Sequence, residues 1–394
     1  MVRGLLPDYT EAIILTERNH GDDCLLYERG HLNNNRPAKG DNNGTLCMTR
    51  MNHCTDWIDF RSDTVTRPTP AMRQAMFDAE VGDDVWGEDP TVTLLETTLA
   101  TMAGKTAGLF MPSGTQSNLV ALLTHCGRGD EFIVGEQAHT YKYEGGGAAA
   151  LGSIQPHPLP MSAIGGPDLQ AIEHAIRPDN IHFARTRLLA LENTVHGKVL
   201  PLDYMTRAYA LCQQHGLPLH LDGARVFNAS VALGCSLIEI SRNADTVSIC
   251  LSKGLGAPVG SVLLGSEDFI HTARRWRKVT GGGLRQAGIL AAAGLYALEH
   301  HIDRLADDHQ HAKMLAERLL RAGYVLEPPQ TNMLFLDAQQ LDRAALQNWL
   351  TQHRVKADCL GRDNIRLVTH LDISAADIEH AARVFEQFMI RPSH

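Results

Sequence analysis

Cysteine is scarce and unpaired in this chain: eight residues in 394, none in Cys-x-x-Cys spacing and none at a regular interval. That pattern excludes a zinc ribbon and a disulfide framework, and it fits reduced thiols in a cytosol. Long apolar runs are missing as well. No stretch reaches the roughly 18 residues that a membrane span needs, and the first thirty residues lack the basic start, apolar block and small-residue cleavage site of a secretion signal. The expected location is the cytoplasm, with no membrane partner. A cationic excess is also absent. Lys and Arg number 36 against 45 Asp and Glu, a formal charge of −9 that provides no broad footprint for phosphate backbones, so no nucleic-acid partner is expected. His-Glu-x-x-His does not occur among the 20 histidines, and no metal is expected either.

What remains is globular in character. Hydrophobic residues make up 44% and charged residues 21%, with 34 Gly and 17 Pro, which rules out a collagen-like, coiled-coil or wholly disordered chain. At roughly 150 residues per domain the length suffices for two or three domains' worth of core. Residues 1–57 hold Asn33-Asn34-Asn35 and Asp41-Asn42-Asn43-Gly44 among apolar fragments without a sustained period, so an N-terminal extension with little order is expected there. From Ile58 onward, apolar runs alternate with helical stretches: Gly108–Met111, Glu131–Val134, Leu188–Leu191, Leu217–Leu221, Thr246–Leu251 and Ser261–Leu264. Runs apolar on both faces and separated by helices predict an α/β fold with a mostly parallel central sheet covered on both sides. A long amphipathic stretch from about Arg285 to Arg321 follows, and Gly323 with Pro328-Pro329 ends it. The remainder, with strand-like Met333–Leu336 and Ile365–Val368 and two helices, reads as a small α+β domain. The expected division is thus 1–57, a large domain over 58–320 and a small C-terminal domain over 321–394.

Three motifs mislead. Ala103-Gly104-Lys105-Thr106 ends like a phosphate-binding P-loop, but Leu99 stands where the first glycine belongs. The run from Gly254 to Gly260 resembles a dinucleotide fingerprint, yet it has the wrong spacing and a proline inside what should be helix. The basic cluster Arg274-Arg275-Trp276-Arg277-Lys278 sits in an acidic chain and reads as a local anion site rather than a nucleic-acid patch.

The informative pair is Asp222, in Leu219-His220-Leu221-Asp222-Gly223-Ala224-Arg225, and Lys253, in Leu251-Ser252-Lys253-Gly254. Each follows an apolar strand. The carboxyl ends of parallel strands border the ligand crevice, so both residues are expected to face one cavity. A buried ion pair is the plainer reading of any one such couple. Pyridoxal phosphate gives it a sharper meaning, because that cofactor needs a lysine to hold it covalently and a carboxylate to keep its ring nitrogen protonated. A third element, Ser113-Gly114-Thr115, follows a strand and opens a helix, where free backbone N–H groups, the Thr115 hydroxyl and the helix dipole would bind the phosphate.

At these residues the sequence resembles the low-specificity L-threonine aldolases of the fold-type I pyridoxal phosphate enzymes, whose architecture is like that of aspartate aminotransferase. The resemblance covers about 58–394. It rests on Ile58–Thr66, Val81–Thr91, Leu191-Glu192-Asn193-Thr194, Asp222–Arg225 and Ser252–Gly256, with one departure at Trp86, where tyrosine is expected at the rim of the substrate site. The resemblance implies that His139 lies against the cofactor ring and His182 approaches the substrate hydroxyl, so that either is a candidate base. It implies that Ser62, Arg225 and Arg366 form the substrate-carboxylate site, Arg225 also bordering the cofactor. It implies too that Lys278 and Arg285 reach the phosphate from a neighbouring subunit, in a homotetramer built as a dimer of dimers with shared active sites. The expected reaction is retro-aldol cleavage of L-threonine or L-allo-threonine to glycine and acetaldehyde. Another fold-type I lyase, or an aminotransferase acting on a small amino acid, would use the same Asp–Lys pair. A ligand-binding regulator would need an appended DNA-binding module, and none is seen in the sequence.

Overall fold

Aliphatic runs that are apolar on both faces can be buried only in the middle of a layered structure, and they form its central sheet here. The computed structural model describes residues 57–359 and 364–391. The N-terminal extension expected over 1–57 lies, apart from Trp57, outside the described residues. The described strands are β1 (Ile58–Asp59), β2 (Ala107–Met111), β3 (Asp130–Gly135), β4 (Gln155–Leu159), β5 (Arg185–Glu192), β6 (Leu219–Gly223), β7 (Thr246–Cys250), β8 (Ser261–Gly265), β9 (Met333–Asp337), β10 (Val355–Lys356) and β11 (Asn364–Val368). Seven of them make one sheet in the order β2-β8-β7-β6-β5-β3-β4, in which β8 alone runs against the others. Strands β6, β7 and β8 are buried along their whole length.

Helices cover the sheet on both sides. Leu95, Leu99, Met205, Leu221, Val247, Ile249 and Ala291 belong to one continuous apolar core, which joins the sheet to the helices Pro90–Met102, Leu202–Gln214 and Gly288–His300. A second core gathers Leu315, Leu319, Leu334, Leu336, Leu350, Ile365, Leu367 and Phe385, together with Phe60 from the start of the described chain. Each fully buried leucine or phenylalanine contributes about 1.5–3 kcal/mol by leaving water. The helix Leu305–Arg321 passes between the cores, with Leu305 in the first and Leu315 and Leu319 in the second. Among the described residues no helix is long and apolar enough to cross a membrane, and the described cysteines are free thiols.

The strand runs read from the sequence appear within one to three residues of their expected ends. Two features differ. β4 was not expected, because Gln155-Pro156-His157-Pro158-Leu159 carries two prolines that cannot donate to a ladder. It lies at the sheet edge beside β3 alone, where one side of a strand needs no partner. The stretch 285–321 is two helices, Gly288–His300 and Leu305–Arg321, broken at His301–Arg304 without glycine or proline. There the His301 Nδ1 is 2.7 Å from the Leu255 carbonyl, a tertiary hydrogen bond that holds the break.

Candidate active site

Because β2, β3, β5, β6 and β7 share one direction, their carboxyl ends lie along one edge. Five polar side chains follow from those ends: Ser113 after β2, His139 after β3, Glu192 at the end of β5, Asp222 in β6 and Lys253 after β7. Lys253 and Arg225 line a small cavity with Gly223, Asn228, Cys250 and Leu255. The Lys253 carbonyl accepts from Thr66 Oγ1 at 2.8 Å, which ties the lysine turn to the segment after β1.

Asp222 is buried and has no ion-pair partner of its own among the described residues. It accepts from Asn118 Nδ2 at 2.8 Å and from the Ala224 N–H at 3.0 Å. The same Asn118 nitrogen donates to Glu144 Oε1 at 2.9 Å, and Glu144 Oε1 lies 2.8 Å from His139 Nδ1. The His139 N–H in turn donates to Glu192 Oε2 at 2.7 Å. The hydrogen bond to Glu144 raises the His139 imidazole above its ordinary value, against the effect of its burial. Burial raises Glu144, and burial followed by the nearby Asp222 charge pushes Glu192 up to about 7. His139, Glu144 and Asp222 bring ligand-type atoms within 4.8 Å of one another. Asn118 N–H groups already serve both carboxylates, so this is a hydrogen-bonded set rather than an open metal cage.

The substrate side departs from the expected pair of equal arginines. Arg225 spends its Nε and Nη2 on Asp63, at 2.7 and 2.6 Å, and Asp63 is fully buried with Asn332 Nδ2 at 3.4 Å. Burial would raise the Asp63 carboxyl, but the Arg225 charge and its hydrogen bonds outweigh it and bring it down to about 2. One edge of Arg225 is therefore committed, and the two-bond grip expected of it is available only from the side bearing Nη1. Arg366, on β11 of the second core, has one donor on the Arg61 carbonyl at 2.9 Å. Desolvation and then the positive charge of Arg225 push its guanidinium below the usual arginine value, which places the two cations near each other. Ser62 lies in the same segment, its Oγ accepting from the Thr64 N–H at 3.2 Å.

At the phosphate end, Ser113 caps the helix Gly114–His125, its Oγ accepting from the Gln116 N–H at 3.2 Å. The first-turn amides, Gly114 and Thr115 among them, have no acceptor within the helix and form a cradle for an anion. Gln116 Nε2 donates to Thr280, so the loop after the basic cluster reaches this cradle. Lys278 is exposed, and Arg285 Nη1 donates to Asp83 Oδ2 at 2.9 Å. Within one chain neither cation touches the cradle's first turn. The Arg285 carbonyl accepts from the Asp84 N–H, which puts Arg285 beside the turn that exposes Trp86.

His182 is not brought to this site. It is exposed just before β5, whereas Glu192 ends that strand, and eight strand residues separate the two edges of a sheet by roughly 23 Å. Within a single chain His182 cannot act with His139, and the expectation that both approach one substrate is corrected to that extent. Asp63, Asn118, Glu144 and Glu192 have no role in the sequence reading. Asp63 and Glu192 sit inside segments already singled out, and Asn118 lies three residues beyond Thr115, each near residues with more familiar chemistry. Glu144 had no signal except the glycines that follow it.

A buried carboxylate without a cation, a lysine following the adjacent strand and an anion cradle at a helix start fit one group: pyridoxal phosphate, with its protonated ring nitrogen, its aldehyde carbon and its phosphate. On a sheet with one reversed strand, that site defines a fold-type I pyridoxal phosphate enzyme. The sequence signature of beta-eliminating lyases matches residues 59–340. A low-specificity L-threonine aldolase of Escherichia coli K12 is 52% identical over 334 residues, 85% of this chain and all of that one. A low-specificity L-threonine aldolase of Arabidopsis thaliana is 44% identical over 345 residues, 84% of this chain and 96% of that protein. A solved threonine aldolase from Leishmania major matches with a TM-score of 0.73, covering 84% of this chain and 99% of the other; at 21% identity it speaks to the fold. The chain belongs to the beta-eliminating lyase family and, within it, to the low-specificity L-threonine aldolases.

Proposed function

We propose that this enzyme cleaves L-threonine and L-allo-threonine to glycine and acetaldehyde, reversibly, and accepts other β-hydroxy-α-amino acids. The observation that carries the reading is the meeting of Lys253, Asp222 and His139 at one sheet edge, with the Arg366 guanidinium arriving from the second core. Lys253, Asp222 and the first turn after Ser113 would hold pyridoxal phosphate, which when bound would supply a sink for the electron pair left by Cα–Cβ cleavage. Ser62, Arg366 and the open side of Arg225 grip the substrate carboxylate and turn the amino acid so that this bond is the one to break. His139 takes the β-hydroxyl proton, directly or through water, as the aldehyde forms. A proton returned to Cα completes glycine, so none is consumed overall. Lys253 would be the residue that holds the cofactor between turnovers.

We also propose self-association as a homotetramer, a dimer of dimers, in which Lys278 and Arg285 serve the phosphate cradle of a neighbour. Their exposure beside Trp86 and Val279 supports this, as does the absence of a cradle contact within the chain. Shared sites are also the one way in which His182 meets a substrate. A cytoplasmic role in threonine breakdown and glycine supply follows from the same reading.

Aldehyde release from the threonine isomers tests the reaction. L-threonine and L-allo-threonine should both be turned over, D-threonine should not, and Lys253→Ala should lose both activity and borohydride-reducible cofactor. Cofactor-loaded protein that releases no aldehyde from either L-isomer would overturn the proposal.

A further inference from the structure

Behind Asp222 lies a hydrogen-bonded chain whose directions are fixed by what each group is able to do. Carboxylates only accept, so the Asn118 amide must turn its NH₂ toward both Asp222 and Glu144. Its Oδ1 then faces His220 Nε2 at 3.2 Å, and that nitrogen must carry a proton. His220 Nδ1 is left as an acceptor for Thr246 Oγ1 at 2.9 Å, and Thr246 in turn accepts from His125 Nε2 at 2.9 Å. Burial holds His125 and His220 neutral, pushed down to about 4 and about 3. The chain therefore keeps one orientation at neutral pH and terminates on the Glu144 carboxylate, whose remaining neighbour is the His139 ring. The left-handed glycines Gly145 and Gly146, at φ +63° and +67°, make the turn that follows Glu144 and returns the backbone to the next helix.

We propose that Glu144 is the positioning residue for His139: it keeps the imidazole proton on Nδ1 and leaves Nε2 as the free base, while Asn118 makes Glu144 and Asp222 share a single amide. This deepens the reading of His139 as the proton acceptor and rests on it. An isolated imidazole prefers its proton on Nε2, so the opposite tautomer is a specific mark of this arrangement. Glu144, Asp222, Glu192 and Lys253 are the ionisable groups whose charge reaches the ring, and Tyr143 packs against it at 5.7 Å between ring centroids. Of the acids, Glu144 is the one that hydrogen-bonds a ring nitrogen; Glu192 holds only the His139 backbone N–H.

Neutron diffraction from crystals of the holoenzyme, at a pH where His139 is neutral, reads the tautomer without any substitution. Deuterium on Nδ1 with Nε2 bare is the expected result; deuterium on Nε2 with Nδ1 bare overturns the proposal. Glu144→Gln supplies the second arm. Loss of the carboxylate charge should lower the His139 titration by about one unit, read by NMR of labelled imidazole. The acid limb of kcat/KM should move down with it, kcat should fall roughly 10- to 100-fold with little change in KM, and Glu144→Asp should recover part of the loss. Bound cofactor, followed by its absorbance, should remain. A Glu144→Gln protein with lowered Tm but unmoved His139 titration and unmoved acid limb would make Glu144 merely structural and overturn the proposal. Failure of the wild-type protein to release aldehyde would instead strike the reaction assigned above and leave the tautomer result to stand.

Discussion

His220 is fully buried and His125 partly so, and their burial has a consequence for stability. Their folded values of about 4 and about 3 lie below the 6.5 of an exposed imidazole. The unfolded chain therefore binds protons that the folded chain refuses as soon as the pH falls below 6.5. Their contribution is complete above pH 6.5 and shrinks as the pH falls toward the folded values, by about 1.4 kcal/mol per pH unit for each ring. Wild-type protein should thus lose stability steeply between pH 6.5 and 4.5, and His220→Gln should show a shallower slope whatever its stability at pH 8. Unfolding midpoints in urea across that range provide the check, and parallel slopes for the two proteins would contradict it. At this scale the chemistry most familiar from sequence was the most legible. Asp222 and Lys253 each end an apolar run, and that position alone suggests a crevice. Asn118, Glu144 and Glu192 were not legible, because their roles come from three separate chain segments meeting at one amide and one ring.

The segment after β1 works as a clasp. Phe60 belongs to the second core, while Asp63 reaches the first through Arg225, Thr66 holds the Lys253 carbonyl and Asn332 approaches Asp63 from the second-core side. Removing one member of a buried ion pair leaves the other charge without a partner, which commonly costs about 3–5 kcal/mol. Asp63→Ala should lower the thermal midpoint by several degrees and weaken cofactor retention, since Arg225 and the Lys253 turn both lose their anchor. Unchanged unfolding of that variant would show that the pair is dispensable. Elements were readable from sequence where a run was apolar throughout, as in β6 and β7. They were not readable where context overrode composition. β4 is a strand despite Pro156 and Pro158 because only one side of it needs a partner, and the break at His301–Arg304 rests on a contact with Leu255, some 46 residues away.

At the scale of the molecule, several of the large apolar side chains left in water among the described residues fall on neighbouring elements: Phe77, Trp86, Leu94, Val279 and Ile289 are 84, 77, 55, 68 and 46% exposed. They lie on helices Pro70–Phe77, Pro90–Met102 and Gly288–His300, on the Trp86 turn and at the end of the helix Glu267–Val279, which carries Lys278. Exposed apolar surface of this kind, with two cations at its border, suits the proposed contact between copies. Mixing inactive Lys253→Ala subunits with inactive Arg285→Ala subunits should restore activity through hybrid sites, up to about a quarter of the parental value for randomly paired subunits that share two sites. Hybrids confirmed by mass that remain inactive would contradict sharing. The central claim, that the groups gathered at one sheet edge break a carbon–carbon bond, meets its most direct test in the products of L-threonine turnover by the purified, cofactor-loaded enzyme. Glycine and acetaldehyde in equal amounts are predicted. A keto acid with release of ammonia, in place of glycine, would contradict the account.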